Sequence, residues 1–278
     1  MQDFPLTLSC KVLRVSRSGY YKWFNAPVSK RARENIIILE EIRQEFMNSK
    51  RNYGSPRIHA ALKRKGRTWG RGRIERLMRK NGIRCRYSHK FRVSKDPRTR
   101  EKIAPNLLNR NFSIPSPNRV WVSDVTYLWT KEGWLHLSAT IDLYSRRVVG
   151  WSMSERLDTE LVVRSLQSAI AYRQPTRNLI HHSDQGKEFA SKGFRDLMVL
   201  HKITPSMSRK GDCWDNAVAE SFFKTLKTEL VPRNGFATRS EARGMVFEWI
   251  EMVYNRERLH STLGYLSPAL YEAKTRAS

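Results

Sequence analysis

The sequence contains few cysteines, few acidic residues and no long apolar run. Its three cysteines, Cys10, Cys85 and Cys213, are far apart and form no Cys-x-x-Cys pair. This argues against a disulfide framework or a zinc knuckle and is typical of a reducing cytoplasm. The longest apolar runs span only a few residues, and the N-terminus lacks a signal-peptide pattern. No membrane segment is therefore predicted.

The shortage of acids leaves a large excess of positive charge. There are 52 Lys and Arg against 26 Asp and Glu, so the formal net charge is +26. Residues 50–110 carry 21 basic and 3 acidic side chains, whereas residues 118–278 carry 23 and 18. The basic region is interleaved with aromatic residues and with apolar residues at helical spacing, unlike a solvated tail. It therefore predicts binding to nucleic acid.

Residues 1–112 are predicted to form a basic helical region. Two short helices are expected in residues 6–24, with Leu8, Val12 and Leu13 on a buried face. A longer amphipathic helix is expected over residues 34–47. In these segments apolar side chains recur every three or four positions, which is the helical period.

Two more basic helices follow, and their arrangement is typical of a helix-turn-helix. Pro56 suits the first turn of one helix and Gly66 its end. A helix pair with an arginine-rich exterior is a shape that docks on DNA, and Arg57, Arg71 and Arg73 are the expected contacts. A small helical domain with a merely charged surface is the alternative, and the sequence fixes neither groove nor register.

A polar segment, residues 95–118, contains four prolines and is predicted to be a linker or an irregular wrap, with the domain boundary near residue 112. The pattern of apolar residues changes in residues 113–278. Three strand-like segments are followed by alternating helices and strands, which predicts an α/β fold with a mixed sheet flanked by helices. This order is the one found in ribonuclease-H-like folds.

Two acids occupy unusual positions in this predicted sheet. Asp124 lies inside the strand-like stretch VWVSDVTYL, and Asp184 ends the apolar stretch LIHH in the word HSDQG. An unpaired charge withdrawn from water costs several kcal/mol. Each acid has a structural alternative, because either can pair with an arginine and Asp184 can cap the turn that Gly186 permits.

A third acid lies on a helix predicted from Asp215 to Leu230. At about 100° per residue, Glu220 shares one face with Asn216, Lys224 and Lys227. The opposite face carries the apolar side chains Val218, Phe222, Phe223 and Leu226. A helical ion pair between Glu220 and Lys224, contributing a few tenths of a kcal/mol, is the structural alternative.

Three acids that meet in the fold need a shared cation, because their charges would otherwise repel. Oxygen ligands without an ordered set of Cys or His favour a hard ion, Mg²⁺ first and Mn²⁺ second. Two such ions about 4 Å apart can activate an attacking oxygen and stabilise a leaving one at a phosphodiester.

The motifs together resemble a known family. Asp184 and Glu220 are separated by 35 residues, and the words WVSDVTY, HSDQG, SRKGDCWDNAVAESFFKTLKTEL and HSTLGYLSPALYE occur in order. The chain resembles the second-frame transposases of bacterial insertion sequences, whose core is similar to that of retroviral integrases. The resemblance extends over nearly the whole chain.

The resemblance implies a catalytic, metal-binding triad of Asp124, Asp184 and Glu220. It also implies the reaction: an activated water hydrolyses the phosphodiester at the end of the element and leaves a 3′-OH. That hydroxyl then attacks a second phosphodiester in line, without a covalent protein intermediate. The partners are double-stranded DNA, both terminal repeats and target, in the bacterial cytoplasm at the nucleoid.

Other residues receive supporting roles from the same resemblance. Lys227 is expected near a phosphate or the DNA end, and Lys224 and Asn216 are expected to contact substrate. His182 and Gln185 flank the second acid and are expected to orient it.

Some features depart from the family pattern. Lys187 and Glu188 follow HSDQG, where relatives usually have small or amide residues. No leucine zipper is present, so a homo-oligomer on DNA and an upstream-frame protein or fusion are both expected partners. The zinc-binding His/Cys domain of retroviral relatives is also missing. A DNA-binding regulator of transposition without chemistry of its own is the main alternative, and a structure-selective nuclease is a third.

Overall fold

The computed structural model describes residues 5–85, 103–175, 178–209 and 213–276. The chain divides into two compact units, Met1–Cys85 and Arg86–Ser278. Across the described ranges, no helix combines the length and apolar character that crossing a membrane requires.

The first unit is helical, as predicted. Its helices are α1 (Leu6–Val12), α2 (Arg17–Phe24), α3 (Lys30–Asn48), α4 (Ser55–Arg64) and α5 (Arg71–Lys80). Helices α3, α4 and α5 share one core, made by Ile38, Ile42, Ile58, Leu62, Ile74 and Met78. Pro56 lies in the first turn of α4, and Gly66 follows that helix with φ of 80°, so both predicted boundaries are confirmed.

The predicted buried face of the first helices is wrong. Leu8, Val12 and Leu13 are 50%, 72% and 71% exposed. The helices themselves form where expected, and the Ser16 hydroxyl caps α2 by accepting from the Gly19 amide at 3.0 Å. Helical spacing places apolar side chains on one face, but it does not supply a surface to cover them.

The second unit contains a five-stranded mixed sheet in the order β3-β2-β1-β4-β5. The strands are β1 (Val120–Thr130), β2 (Gly133–Asp142), β3 (Val148–Ser154), β4 (Ile180–Ser183) and β5 (Thr204–Met207). The first three strands are antiparallel neighbours, whereas β4 is parallel to both β1 and β5. The predicted ribonuclease-H-like sheet is therefore confirmed.

The pairing of β1 with its neighbours places Asp124 and Asp184 at the same height along the strands. Asp124 is opposite Ala139 on β2, and two residues earlier Val122 pairs with His182 on β4. Because β1 and β4 run in parallel, Asp184 follows the end of β4 at the level of Asp124. Residues far apart in the chain thus reach one edge of the sheet.

Helices cover both faces of this sheet. They are α6 (Thr159–Arg173), α7 (Lys192–Leu200), α8 (Ala217–Glu229), α9 (Arg239–Glu248) and α10 (Pro268–Arg276). One face packs on α8 and α9 through Leu137, Ile141, Phe222, Leu226 and Val246, and the other packs on α6 and α7 through Trp121, Val149, Leu166, Phe194 and Met198.

The closing helix changes pitch at its C-terminal end. After α9 the chain continues as a π-helix, Trp249–Glu257. The change of pitch buries Tyr254 and Asn255 and leaves Val253 partly buried against the core. The Asn255 amide then holds both the N–H and the carbonyl of Val148 on the edge strand β3, each at 3.0 Å.

The segment preceding the sheet is an irregular wrap from residue 103 onward, one of the two predictions, whereas the unit boundary differs from the predicted one. Residues 95–102 of the predicted linker lie outside the described residues. From residue 103 onward the chain packs on the second unit through Ala104, Leu108, Phe112 and Ile114. The compact units thus divide at Cys85 and Arg86, not near residue 112, because these apolar contacts are hidden in a polar, proline-rich sequence.

Gly150 on β3 gives a test of the contact between sheet and helix. A Cβ atom there would lie 2.4 Å from the Ser165 carbonyl oxygen and 2.5 Å from the Ala169 nitrogen of α6. We expect Gly150→Ala to lower the free energy of unfolding by about 1–3 kcal/mol, as overpacking does. Urea denaturation followed by circular dichroism measures the change.

Gly193→Ala is the matched control for this substitution. Its added Cβ would meet only Thr159 Cγ2 at 3.5 Å, an ordinary contact, and the residue lies in α7. We expect a neutral or slightly stabilising effect. An equal loss of unfolding free energy in the two variants would contradict the close approach of α6 to β3.

Candidate active site

Three elements bring the predicted acids to one edge of the sheet. Asp124 is half-buried within β1, Asp184 is exposed just after β4, and Glu220 is exposed on α8. The charges of Asp184 and Glu220 both act on Asp124 and raise its pKa. The three carboxylates therefore share one electrostatic environment, as expected for a site that faces solvent.

The negative charge of these acids is not neutralised by arginine. Within the described ranges, Asp124, Asp184 and Glu220 take part in no ion pair. Burial and the two neighbouring charges raise the pKa of Asp124 well above its usual range. Partial desolvation by surrounding protein atoms also raises the pKa of both Asp184 and Glu220. The alternative in which each acid has its own arginine is wrong.

Local backbone geometry holds the two aspartates. Asp124 Oδ1 accepts from the Val125 amide at 2.7 Å, and Asp184 Oδ1 accepts from the Gly186 amide at 3.0 Å. A Cβ atom on residue 186 would lie 3.0 Å from Asp184 Oδ1, so glycine leaves room for the carboxylate to fold back. The turn predicted at Gly186 thus serves to aim Asp184.

Helix α8 has the two faces expected from its sequence. Its buried side chains are Ala219, Phe222, Phe223 and Leu226, while Glu220 and Lys224 are exposed. Lys227 is half-buried, and burial lowers its pKa while the charge of Asp124 raises it. Lys227 therefore lies within the electrostatic reach of the acids. No ion pair joins Glu220 to Lys224 in the described region, so that alternative is wrong.

Asn216 lies behind the acids, buried at the start of α8. Its Nδ2 donates to the Ser123 carbonyl oxygen at 3.2 Å, so the helix that carries Glu220 is tied to the residue before Asp124. Asn216 Oδ1 is buried and has no hydrogen-bond partner among the described residues. Its placement favours a tether between β1 and α8, while its predicted substrate contact stays a prediction.

His182 and Gln185 hold the loop after β5. The two ring nitrogens of His182 contact the hydroxyls of Ser206 and Ser208 at 2.8 and 3.1 Å, and burial lowers the pKa of His182 to about 4. Gln185 donates to the Ser208 carbonyl oxygen at 2.9 Å. Both side chains therefore connect the strand of Asp184 to the loop that leads toward α8.

Sequence reasoning missed a buried acid beside this loop. Asp215 is fully buried and accepts hydrogen bonds from Arg209, Arg110 and Asn106. These bonds, those from Arg209 above all, hold the pKa of Asp215 far below its usual range. Only Arg209 is near in sequence, so the residues gave no signal for the contact with Arg110.

The fit of a divalent cation can be judged from these donors. Across residues 5–85, 103–175, 178–209 and 213–276, no three His, Cys, Asp or Glu side chains come close enough to share an ion. The acids nevertheless concentrate uncompensated negative charge, and the orphaned oxygen of Asn216 lies one helical turn before Glu220. An oxygen-only donor set with this charge fits a hard, hydrated divalent ion.

The predicted DNA contacts of the first unit lie on α4 and α5. Arg71 is exposed, and Arg57 lies over the Tyr53 ring, 5.7 Å from its centroid. Arg73 instead donates to Asn35 at 2.9 Å and to Glu34 at 3.1 Å, so it braces α3 against α5. A role for these arginines in binding DNA stays a prediction.

Comparisons with known proteins agree with this architecture. Two models described as integrase core domain match residues 115–213 and 201–268, and a model described as HTH-like domain matches residues 32–91. The matches cover both the helical unit and the unit that contains the sheet.

Relatives of similar length extend the likeness to almost the whole chain. An uncharacterized 31 kDa protein of insertion element IS600 from Shigella sonnei is 40% identical over 265 residues, covering 95% of this chain and 97% of that protein. The transposase InsF of insertion sequence IS3A from Escherichia coli K12 is 38% identical over 283 residues, covering 99% and 96%. The catalytic core domain of BIV integrase aligns with a TM-score of 0.44 at 19% identity over 58% of this chain and 97% of that chain, a likeness too low to bear on the assignment.

The integrase-type sheet, its acidic edge and the helix-turn-helix-like unit define an enzyme that cuts and joins DNA. The chain belongs to the IS3-type family of insertion-sequence transposases and is a DNA polynucleotidyl transferase of the Asp-Asp-Glu class. The family resemblance and the DNA transposase function inferred from the sequence are thereby confirmed.

The raised pKa of Asp124 leads to a test of its unfavourable charge. A carboxyl whose pKa is raised by folding stabilises the fold below its unfolded pKa of about 3.8 and loses that contribution as pH rises. In metal-free buffer at neutral pH, we expect Asp124→Asn to increase the free energy of unfolding by at least about 1 kcal/mol. Thermal unfolding at pH 7.5 and pH 4 measures it, and the gain should vanish at the lower pH.

Asp215→Asn is the matched control, because the sign of its pKa shift is opposite. Its stabilising charge is present above the unfolded pKa of about 3.8 and is lost as pH falls below that value. We expect a loss of roughly 3 kcal/mol at neutral pH, the low end for a broken buried pair, because its arginines are half-exposed. Destabilisation of both variants at pH 7.5 would contradict the unpaired state of Asp124.

Proposed function

We propose that Asp124, Asp184 and Glu220 are the catalytic triad and that together they hold divalent cations, Mg²⁺ or Mn²⁺ and two in number. The observation that carries this proposal is the approach of Asp184 and Glu220 to Asp124. Burial and the charges of these two carboxylates raise the pKa of Asp124, and no arginine among the described residues pairs with any of the three acids. Repulsion of this kind is relieved when a cation is bound. The orphaned Asn216 oxygen supports the same site, because it can accept from a water held there.

The proposed reaction is hydrolysis at the ends of an insertion sequence, followed by transfer of the 3′-OH strand to target DNA. When bound, the cations would lower the pKa of the attacking oxygen and offset the charge of the leaving one. Asp124, Asp184 and Glu220 would position the reacting phosphodiester along the edge of the sheet. Lys227 would hold a neighbouring phosphate of the DNA, and the exposed Lys224 would contact the same DNA strand.

Asn216, His182 and Gln185 would keep the triad aligned. Asn216 ties α8 to the residue before Asp124, and Gln185 ties the residue after Asp184 to the loop beyond β5. These contacts would restrain the segments that carry all three acids against movement when a polyanion binds. They therefore support a preorganised site.

Assembly and location follow from the substrate. We propose that the protein works as a homo-oligomer on double-stranded DNA, since two element ends must meet one target. Its binding sites would be the terminal repeats, at the nucleoid in the bacterial cytoplasm. An upstream-frame protein or fusion would add to the recognition of the element ends or to multimerisation.

A second candidate is a transferase whose chemistry depends on an upstream-frame partner, so that alone it acts as a DNA-binding regulator of transposition. It is favoured by one observation: in the described ranges the acids do not close into a group able to hold an ion. In that case the chain would bind element ends, and chemistry would require the upstream-frame partner.

Substitution of Asp184 separates the two candidates. We expect Asp184→Asn to reduce cleavage and strand transfer by at least about 10³-fold, because several kcal/mol of charge stabilisation would be lost. The assay follows labelled element ends in Mg²⁺ and in Mn²⁺, with and without the upstream-frame protein.

Asp196→Asn is the control, because Asp196 is an exposed acid on α7. We expect it to keep full activity. Undiminished cleavage by Asp184→Asn would contradict the proposed catalytic triad. Activity of the wild-type chain only with its upstream partner would favour the regulator.

A further inference from the structure

A buried carboxylate gathers two arginines near the acids. Asp215, which is 0% exposed, accepts from Arg209 Nε and Nη2 at 3.0 and 2.9 Å and from Arg110 Nε at 3.1 Å. Asn106 Nδ2 and the Arg209 amide each donate to it at 2.9 Å. One negative charge thus orients two guanidinium groups.

The two arginines nevertheless remain open to solvent. The side chains of Arg110 and Arg209 are 47% and 53% exposed, although the carboxylate between them is inaccessible. An ion pair that served only the fold gains little from guanidinium groups that stay half in water. Planar guanidiniums fixed side by side are instead suited to grip phosphate oxygens.

The backbone that carries Arg110 is held in a costly conformation. Asn109 and Arg110 have φ of 41° and 61°, two consecutive non-glycine residues in the left-handed region. Such residues cost about 1 kcal/mol or more each and persist when their surroundings enforce them. Here Leu108 is buried in the core and Asn106 Oδ1 accepts from the Asn109 amide at 2.9 Å. The strained turn aims Arg110 at Asp215.

Bonded neighbours place this pair of arginines beside the acidic edge. Arg209 directly follows Ser208, whose carbonyl oxygen accepts from Gln185, the residue after Asp184. Asp215 directly precedes Asn216, whose amide contacts the residue before Asp124. A DNA strand that reaches the acids therefore passes close to the two guanidiniums.

We propose that Arg110 and Arg209 form a phosphate-binding site for the DNA backbone, with Asp215 as the residue that positions them. The site deepens the proposed function, because it would fix the strand whose phosphodiester meets the acids. It depends on no metal ion, since its ligand is a phosphate and its donors are guanidinium N–H groups. Asp215 holds both guanidinium groups in place, and its negative charge offsets the repulsion between them.

The test measures DNA affinity of the full chain by fluorescence anisotropy in EDTA over a series of KCl concentrations. Each lost phosphate contact lowers the slope of log affinity against log salt by about 0.9. We expect Arg110→Gln and Arg209→Gln each to show this loss and to bind about 3–10-fold more weakly near 0.1 M salt. Arg110→Lys and Arg209→Lys should keep the slope, because they keep the charge.

Arg164→Gln is the matched control. Arg164 is also 47% exposed and pairs with an acid, Glu160, at 3.8 Å, but it lies on α6. We expect its slope to equal that of the wild type. Slopes of the two test variants equal to that of Arg164→Gln would overturn the proposal, provided that thermal unfolding shows all variants folded.

A second readout uses the wild-type protein, so it does not depend on any variant folding. Phenylglyoxal modifies accessible arginines, and mass spectrometry reports the rate at each position. We expect DNA to slow modification of Arg110 and Arg209 and to leave Arg164 unchanged. Equal rates with and without DNA at both arginines would overturn the site. Because no divalent ion is present, failure of the metal triad would leave this result intact.

Discussion

The constraint on which the site depends is negative charge gathered at one edge of the sheet, where no arginine among the described residues neutralises it and Lys227 opposes it only in part. Asp124, Asp184 and Glu220 come from a central strand, the turn after its parallel neighbour and a later helix, and their mutual repulsion costs stability. The fold sustains this cost through two large apolar cores and the tethers of Asn216, His182 and Gln185. A site that opposes its own folding is stabilised once its ligand binds.

Positive charge is arranged around this edge in a graded way. Lys227 lies within electrostatic reach of Asp124, whereas Arg209 and Arg110 pair with the buried Asp215. The carboxylate of Asp215 thus orients two guanidinium groups, while Asp124, Asp184 and Glu220 pair with no arginine among the described residues.

Most of the fold and the positions of the acids were predictable from the sequence. Asp124 and Asp184 stood out because a charge inside an apolar strand is costly, and Glu220 because one face of α8 is apolar. Arg110 and Asp215 are 105 residues apart, and no periodic pattern joins them. The exposed face of α1 and the π-helix after α9 were missed because each depends on tertiary packing, which local spacing does not encode.

The most direct test of the account is the binding of Mn²⁺ to the full chain, measured by isothermal titration calorimetry at neutral pH. We expect saturable binding to the wild type that weakens as the pH is lowered, because protons compete with the ion for the raised-pKa acids, and that is lost in Asp124→Asn. Repeating the titration at lower pH measures this competition. Binding of equal affinity and stoichiometry in the wild type and in Asp124→Asn would contradict the claim that the three acids share one cation site.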